Sequence, residues 1–79
     1  MALVTEFEEI TKQRPKVHGP VRGAYFSFIG GHGRRYFVLE TYGSNDREMP
    51  DKLSQSIQLD EDGAAHLIRI LRQQFPNLE

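Results

Sequence analysis

Apolar and polar positions alternate most regularly through residues 21–42, read as VRGAYFSFIGGHGRRYFVLETY. Two runs rich in aromatic and β-branched side chains, residues 21–29 and 34–42, flank Gly30, Gly31, His32 and Gly33. That is the composition of a loop that closes a hairpin. Side chains alternate faces along a strand, so each run sorts into two sets. The first gives Ala24, Phe26 and Phe28 against Tyr25 and Ser27. The second gives Phe37 and Leu39 against Arg34, Tyr36, Val38, Glu40 and Tyr42. Joining the Phe/Leu sets makes one face the core. The opposite face then carries Tyr, Arg and Ser, and is where function is sought.

A third strand follows at residues 54–59, where Gln55, Ile57 and Leu59 alternate with Ser54, Ser56 and Gln58. Asp60, Glu61 and Asp62 then open a helix, placing negative charge where the helix dipole is positive. Ala64, Leu67, Ile68, Leu71 and Phe75 form its apolar stripe, and Gln73, Gln74 and Pro76 end it. Residues 3–10 stay open. Thr5 and Glu8 have capping-box spacing, with Leu3, Phe7 and Ile10 as a helical stripe, yet Phe7 and Ile10 suit an edge strand or an arm equally. Pro15, Gly19 and Pro20 make residues 12–20 a connector. Residues 43–53, with Gly43, Asn45, Asp46, Pro50 and Asp51, form a loop longer than is usual in a small domain.

This order predicts an α+β fold: an antiparallel β-meander of three to four strands followed by a C-terminal helix packed on one face. Residues 1–79 form a single domain, with an N-terminal arm and connector (1–20), the antiparallel sheet (21–59) and the helix (60–75). The helix covers Phe26, Phe28, Phe37, Leu39, Ile57 and Leu59, leaving Tyr25, Tyr36, Tyr42, Ser54, Ser56 and Gln58 on the open face. A chain of 79 residues buries only about 60% of its unfolded surface. A homodimer that covers one more face is therefore expected.

Charge sharpens the picture. The net charge of −1 hides a segregated distribution. Glu6, Glu8 and Glu9 stand near the N-terminus without a base. Residues 12–39 hold Lys12, Arg14, Lys16, Arg22, Arg34 and Arg35 and no acid. Acids predominate again from Glu40 onward. The basic block coincides with the aromatic hairpin, which suggests a polyanionic partner, although a solvated basic face explains it as well.

Several classes of chemistry drop out. The chain has no Cys, so disulfides and thiolate metal sites are excluded. No apolar run approaches the roughly 20 residues of a membrane span. The N-terminus lacks the basic segment of a signal peptide. A soluble, cytoplasmic protein that does not engage a membrane is expected. No Gly-rich phosphate loop, GxSxG or HExxH motif is present. Gly30–Gly33 precedes a strand, where no helix N-terminus backs a phosphate. His18, His32 and His66 are scattered over connector, hairpin tip and helix, and helix capping accounts for Asp60, Glu61 and Asp62. No enzyme activity, metal or cofactor is expected.

Single-stranded nucleic acid is held by rings that stack on bases and cations that track phosphates. Tyr25, Tyr36 and Tyr42 could stack, and Arg22, Arg34, Arg35, Arg47 and Lys52 could meet phosphates. Tyrosines on an open sheet also serve cross-strand packing, or close against a protein partner or a second copy.

From Phe26 to Phe75 the chain resembles the single-stranded DNA-binding domain of the transcriptional coactivator positive cofactor four and its bacterial relatives. The matching residues are Glu40 and Thr41, then Glu48, Met49, Pro50, Asp51 and Lys52, then Ile57, Gln58 and Leu59 leading into the helix from Asp60. The resemblance extends loosely to the purine-rich-element-binding (PUR) proteins. It implies a four-stranded curved antiparallel sheet, a closing helix, dimerisation and single-stranded DNA binding. Ser54, Gln55 and Ser56 stand where that family has Gly before the last strand, its loop is more basic, and the helix here lacks the Trp of the coactivator branch. The reading is a small non-enzymatic protein that binds single-stranded DNA or RNA, acting as a transcription or DNA-processing accessory factor. The alternative is a protein–protein interaction module using the open Tyr-rich face.

Overall fold

The computed structural model describes residues 1–42 and 53–79. Four strands form one sheet: β1 (Ala2–Val4), β2 (Gly23–Ile29), β3 (Arg35–Tyr42) and β4 (Leu53–Leu59), with α1 (Glu61–Gln74) after them. The spatial order is β1-β4-β3-β2. The α+β class expected from the sequence is present.

The sheet is mixed, where an antiparallel meander was expected. β2, β3 and β4 are successive antiparallel neighbours, but β1 runs parallel to β4, with Ala2 opposite Ile57 and Val4 opposite Leu59. The first residues of the expected arm are therefore part of the sheet. Parallel pairing requires a long return path, and residues 5–22 supply one. Almost all of that connector is exposed.

A second correction concerns register. The sequence reading placed Gly30–Gly33 as the loop, which would pair Phe26 with Phe37. Instead, the Gly30 N–H donates to the Arg34 carbonyl at 2.7 Å, so these two residues join the ladder. The turn shrinks to a 3-10 turn at Gly31–Gly33, with His32 at φ 61° and Gly33 at φ 70°. A one-residue slip turns every side chain of a strand to the other face. Phe26 consequently faces Val38, Phe28 faces Tyr36, and Tyr25 faces Leu39. Phe26 and Phe28 do not share a face with Phe37 and Leu39.

Burial follows the observed register. Val38, expected on the open face, has no solvent exposure, and its cross-strand neighbours are Phe26 and Gln58. Among the described residues Leu59 is the other buried apolar side chain. Phe26 and Leu71, expected in the core, are exposed, while Phe37 and Leu67 are half-buried.

The helix forms as its termini predict. The Asp60 carboxylate accepts the Gly63 N–H at 2.7 Å, and Glu61 and Asp62 occupy the first turn. Phe75 closes the C-terminus, its N–H donating to the Leu71 carbonyl. Docking is tightest at the N-terminal end of α1. Gly63 is buried so closely against β1 that a Cβ there would lie 2.3 Å from the Val4 carbonyl oxygen. Ile68, Leu71 and Phe75 remain exposed. The expectation of a helix packed along its whole stripe is thus not met. The molecule is open as a result: its radius of gyration is 14.9 Å, against about 12 Å for a close-packed chain of this length.

Candidate nucleic-acid interface

The hairpin carries two separate ring clusters, because its register sends odd and even residues of β2 to opposite faces. On one face Tyr25 stacks on Phe37, with ring centroids 5.7 Å apart and planes at 27°. Tyr25 is 75% exposed, so its outer ring surface is open to solvent. On the other face Phe28 stacks on Tyr36 at 5.6 Å, and Phe26 lies 6.3 Å from Phe28. Gly30 makes room for this second cluster, since a Cβ there would lie 2.7 Å from the Tyr36 ring.

Arg35 belongs to the face of Tyr25 and Phe37. Its guanidinium donates to the Ser27 hydroxyl at 2.9 Å, which holds the cation along the hairpin. Arg34 and Arg35 also line an open cavity of about 720 Å³ with Phe37. Asp60, Glu61 and Asp62 at the helix start line the same cavity. Carboxylates there oppose a phosphate, so an anionic strand meets favourable charge on the Arg35–Tyr25 side and repulsion toward the helix start.

The remaining expected contacts are dispersed. Arg22 is exposed just before β2, and Tyr36 is half-buried on the face opposite Tyr25. Tyr42 is half-buried beside a register shift between Thr41 and Tyr42, its hydroxyl 3.4 Å from a Glu40 carboxylate oxygen. Arg47 and Lys52 lie outside the described residues. Of the eight expected contact residues, Tyr25 and Arg35 share one face, and Arg34 lines the cavity with Arg35.

Sequence reasoning missed two participants. Phe37 was assigned to the core, yet it is the platform on which Tyr25 rests. A ladder continued through Gly30 and Arg34 would have revealed it. His66 is given no role by the sequence, but its Nδ1 accepts the Phe7 N–H at 3.2 Å. The Phe7 ring also meets the imidazole edge-on at 6.0 Å. These contacts fasten the segment after β1 to α1. No signal in a lone His marks such a contact.

Among the described residues no group of three His, Cys, Asp or Glu could hold a metal ion. No helix there is long and apolar enough to cross a membrane. Comparison with protein-family models, curated proteins and solved structures finds no match to this chain.

Proposed function

We propose that the chain binds single-stranded DNA or RNA on the sheet face that carries Tyr25, as a non-enzymatic accessory factor. The observation that carries this reading is the exposed Tyr25 ring, stacked on Phe37, on the face where Ser27 tethers the Arg35 guanidinium. A ring already backed by another ring loses little freedom when a base stacks on its outer side. Arg35, held by Ser27, is a preplaced partner for a neighbouring phosphate. The acid-free stretch of residues 12–39 adds positive potential around the hairpin.

Titration of labelled oligonucleotides at low salt tests the proposal. Tyr25→Ala loses about 1–3 kcal/mol of binding with an unchanged salt slope. Arg35→Ala weakens all sequences alike and reduces the salt slope by about 0.7. Absence of binding at about 100 µM, well into the range of non-specific association, removes it. A second reading, a protein-interaction module, is favoured by one separate observation: among the described residues β2 is an edge strand with exposed apolar residues on both faces.

A further inference from the structure

We propose that β2 is a self-association edge, where a second copy of this chain adds its own β2 antiparallel and joins the two sheets into one. Among the described residues β2 has a neighbour, β3, on one side only. Edge strands are ordinarily guarded by charges, Pro or bulges. Gly23–Ile29 has none of these: it contains no charged residue and no Pro, and its pairing with β3 runs without a shift.

The hydrogen-bonding groups point the right way. Because the Gly30 N–H bonds to the Arg34 carbonyl, ladder alternation turns the even-numbered residues of β2 toward β3. The N–H and C=O groups of Gly23, Tyr25, Ser27 and Ile29 are then left at the free edge.

The register is fixed by the strand itself. An antiparallel pair of identical strands has a two-fold axis, and only an axis at Phe26 pairs the whole of Gly23–Ile29. That axis sets Tyr25 opposite Ser27 of the second copy, Phe28 opposite Ala24 and Ile29 opposite Gly23. Away from the axis each large side chain meets a small one. Phe26 meets its own copy at a non-hydrogen-bonded site, where Cα atoms approach to roughly 4.5 Å. No like charges confront each other along the strand.

The exposed area calls for a folded partner. The surface of the chain is 7407 Å², against about 4,900 Å² for a folded monomer of this mass. The excess, part of which lies on the exposed connector and α1, is larger than the roughly 800 Å² per partner that a stable interface takes. On the strand itself Phe26 is 49% exposed, Phe28 39% and Ile29 56%, in addition to Tyr25. Pairing two copies packs the flanks of these side chains against one another and leaves the two faces of the joined sheet open. The pairing also sets the Tyr25–Phe37 stacks of both copies side by side on one face, so the second copy widens the ring platform.

The test exploits the absence of Cys from the chain. Sedimentation at about 100 µM without nucleic acid is expected to give a dimer. Phe26→Cys, at a half-exposed position, is expected to form a disulfide-linked dimer on mild oxidation, because Cα atoms at that distance suit a disulfide. Ile29→Cys is expected not to cross-link, since its partner in this register is Gly23. Ser27→Pro removes an outward N–H without touching the β3 ladder, and is expected to yield a monomer with an unchanged circular dichroism spectrum. Three results would each overturn the proposal. One is a monomer at that concentration, which leaves the edge to a strand of another protein. Another is equal cross-linking by Ile29→Cys. The third is a dimer that Phe26→Cys fails to trap, which points to Ile68, Leu71 and Phe75 on α1. None of these depends on oligonucleotide binding, so either proposal can fail alone.

Discussion

Tyr25 and Tyr36 stand on opposite faces of the sheet, Tyr25 facing Leu39 and Tyr36 facing Phe28 across the same hairpin. A single strand lying on one face cannot stack on both. Tyr36→Ala is therefore expected to leave oligonucleotide affinity within a factor of about two, while Tyr25→Ala loses about 1–3 kcal/mol. Fluorescence anisotropy on both variants checks this. Equal losses would place the strand across the hairpin edge.

Leu59 and Leu71 test where the stability resides. Leu59 is buried and Leu71 exposed. Leu59→Ala is expected to cost about 2–5 kcal/mol, a large share of what so small a domain possesses. Leu71→Ala, at a position 36% exposed, is expected to cost about 1 kcal/mol or less in the monomer. Urea denaturation of both at low protein concentration measures the difference.

Gly63 sets helix propensity against packing. Ala is about 1 kcal/mol better than Gly inside a helix. Its Cβ would, however, meet the Val4 carbonyl at 2.3 Å, a backbone atom held in the β1–β4 ladder. Overpacking of this kind costs about 1–3 kcal/mol. Packing is expected to win, so Gly63→Ala lowers the midpoint of thermal unfolding. A raised midpoint would show that α1 can lift from β1 at no cost.

His66 is the acceptor for the Phe7 N–H. His66→Ala removes that bond and the edge-on ring contact, and is expected to cost about 1–2 kcal/mol. Hydrogen exchange distinguishes a local from a global effect. The Phe7 amide is expected to lose protection while the amides of β3 keep theirs. Unchanged protection at Phe7 would mean that the contact is incidental.

The parts of the fold set by local chemistry were legible in the sequence. Asp60, Glu61 and Asp62 announce the helix start through capping and dipole, and the spacing of Ala64, Leu67 and Leu71 announces its period. The hairpin is equally plain from its alternation around a glycine-rich turn. What was not legible depends on a single residue of register. Whether Gly30 and Arg34 belong to the turn or to the ladder is decided by the left-handed conformations of His32 and Gly33. That choice reassigns every side chain of β2. The error carried into the candidate site, where Tyr25 and Tyr36 were grouped and Phe37 was counted as core. β1 escaped for another reason: Ala2, Leu3 and Val4 are too few to show alternation, and their partner lies at the far end of the chain.

That distance governs the order in which the molecule can be assembled. The β2–β3 hairpin and its extension to β4 join segments that follow one another along the chain, and such local closures come early in folding. β1 has no sheet to join until Ile57, Gln58 and Leu59 are in place. Closing so wide a circuit carries an entropic penalty, which along the exposed connector is offset by the contact of Phe7 with His66. The Val4 carbonyl against which Gly63 rests therefore arrives last, and the start of α1 acquires its final support only at that moment.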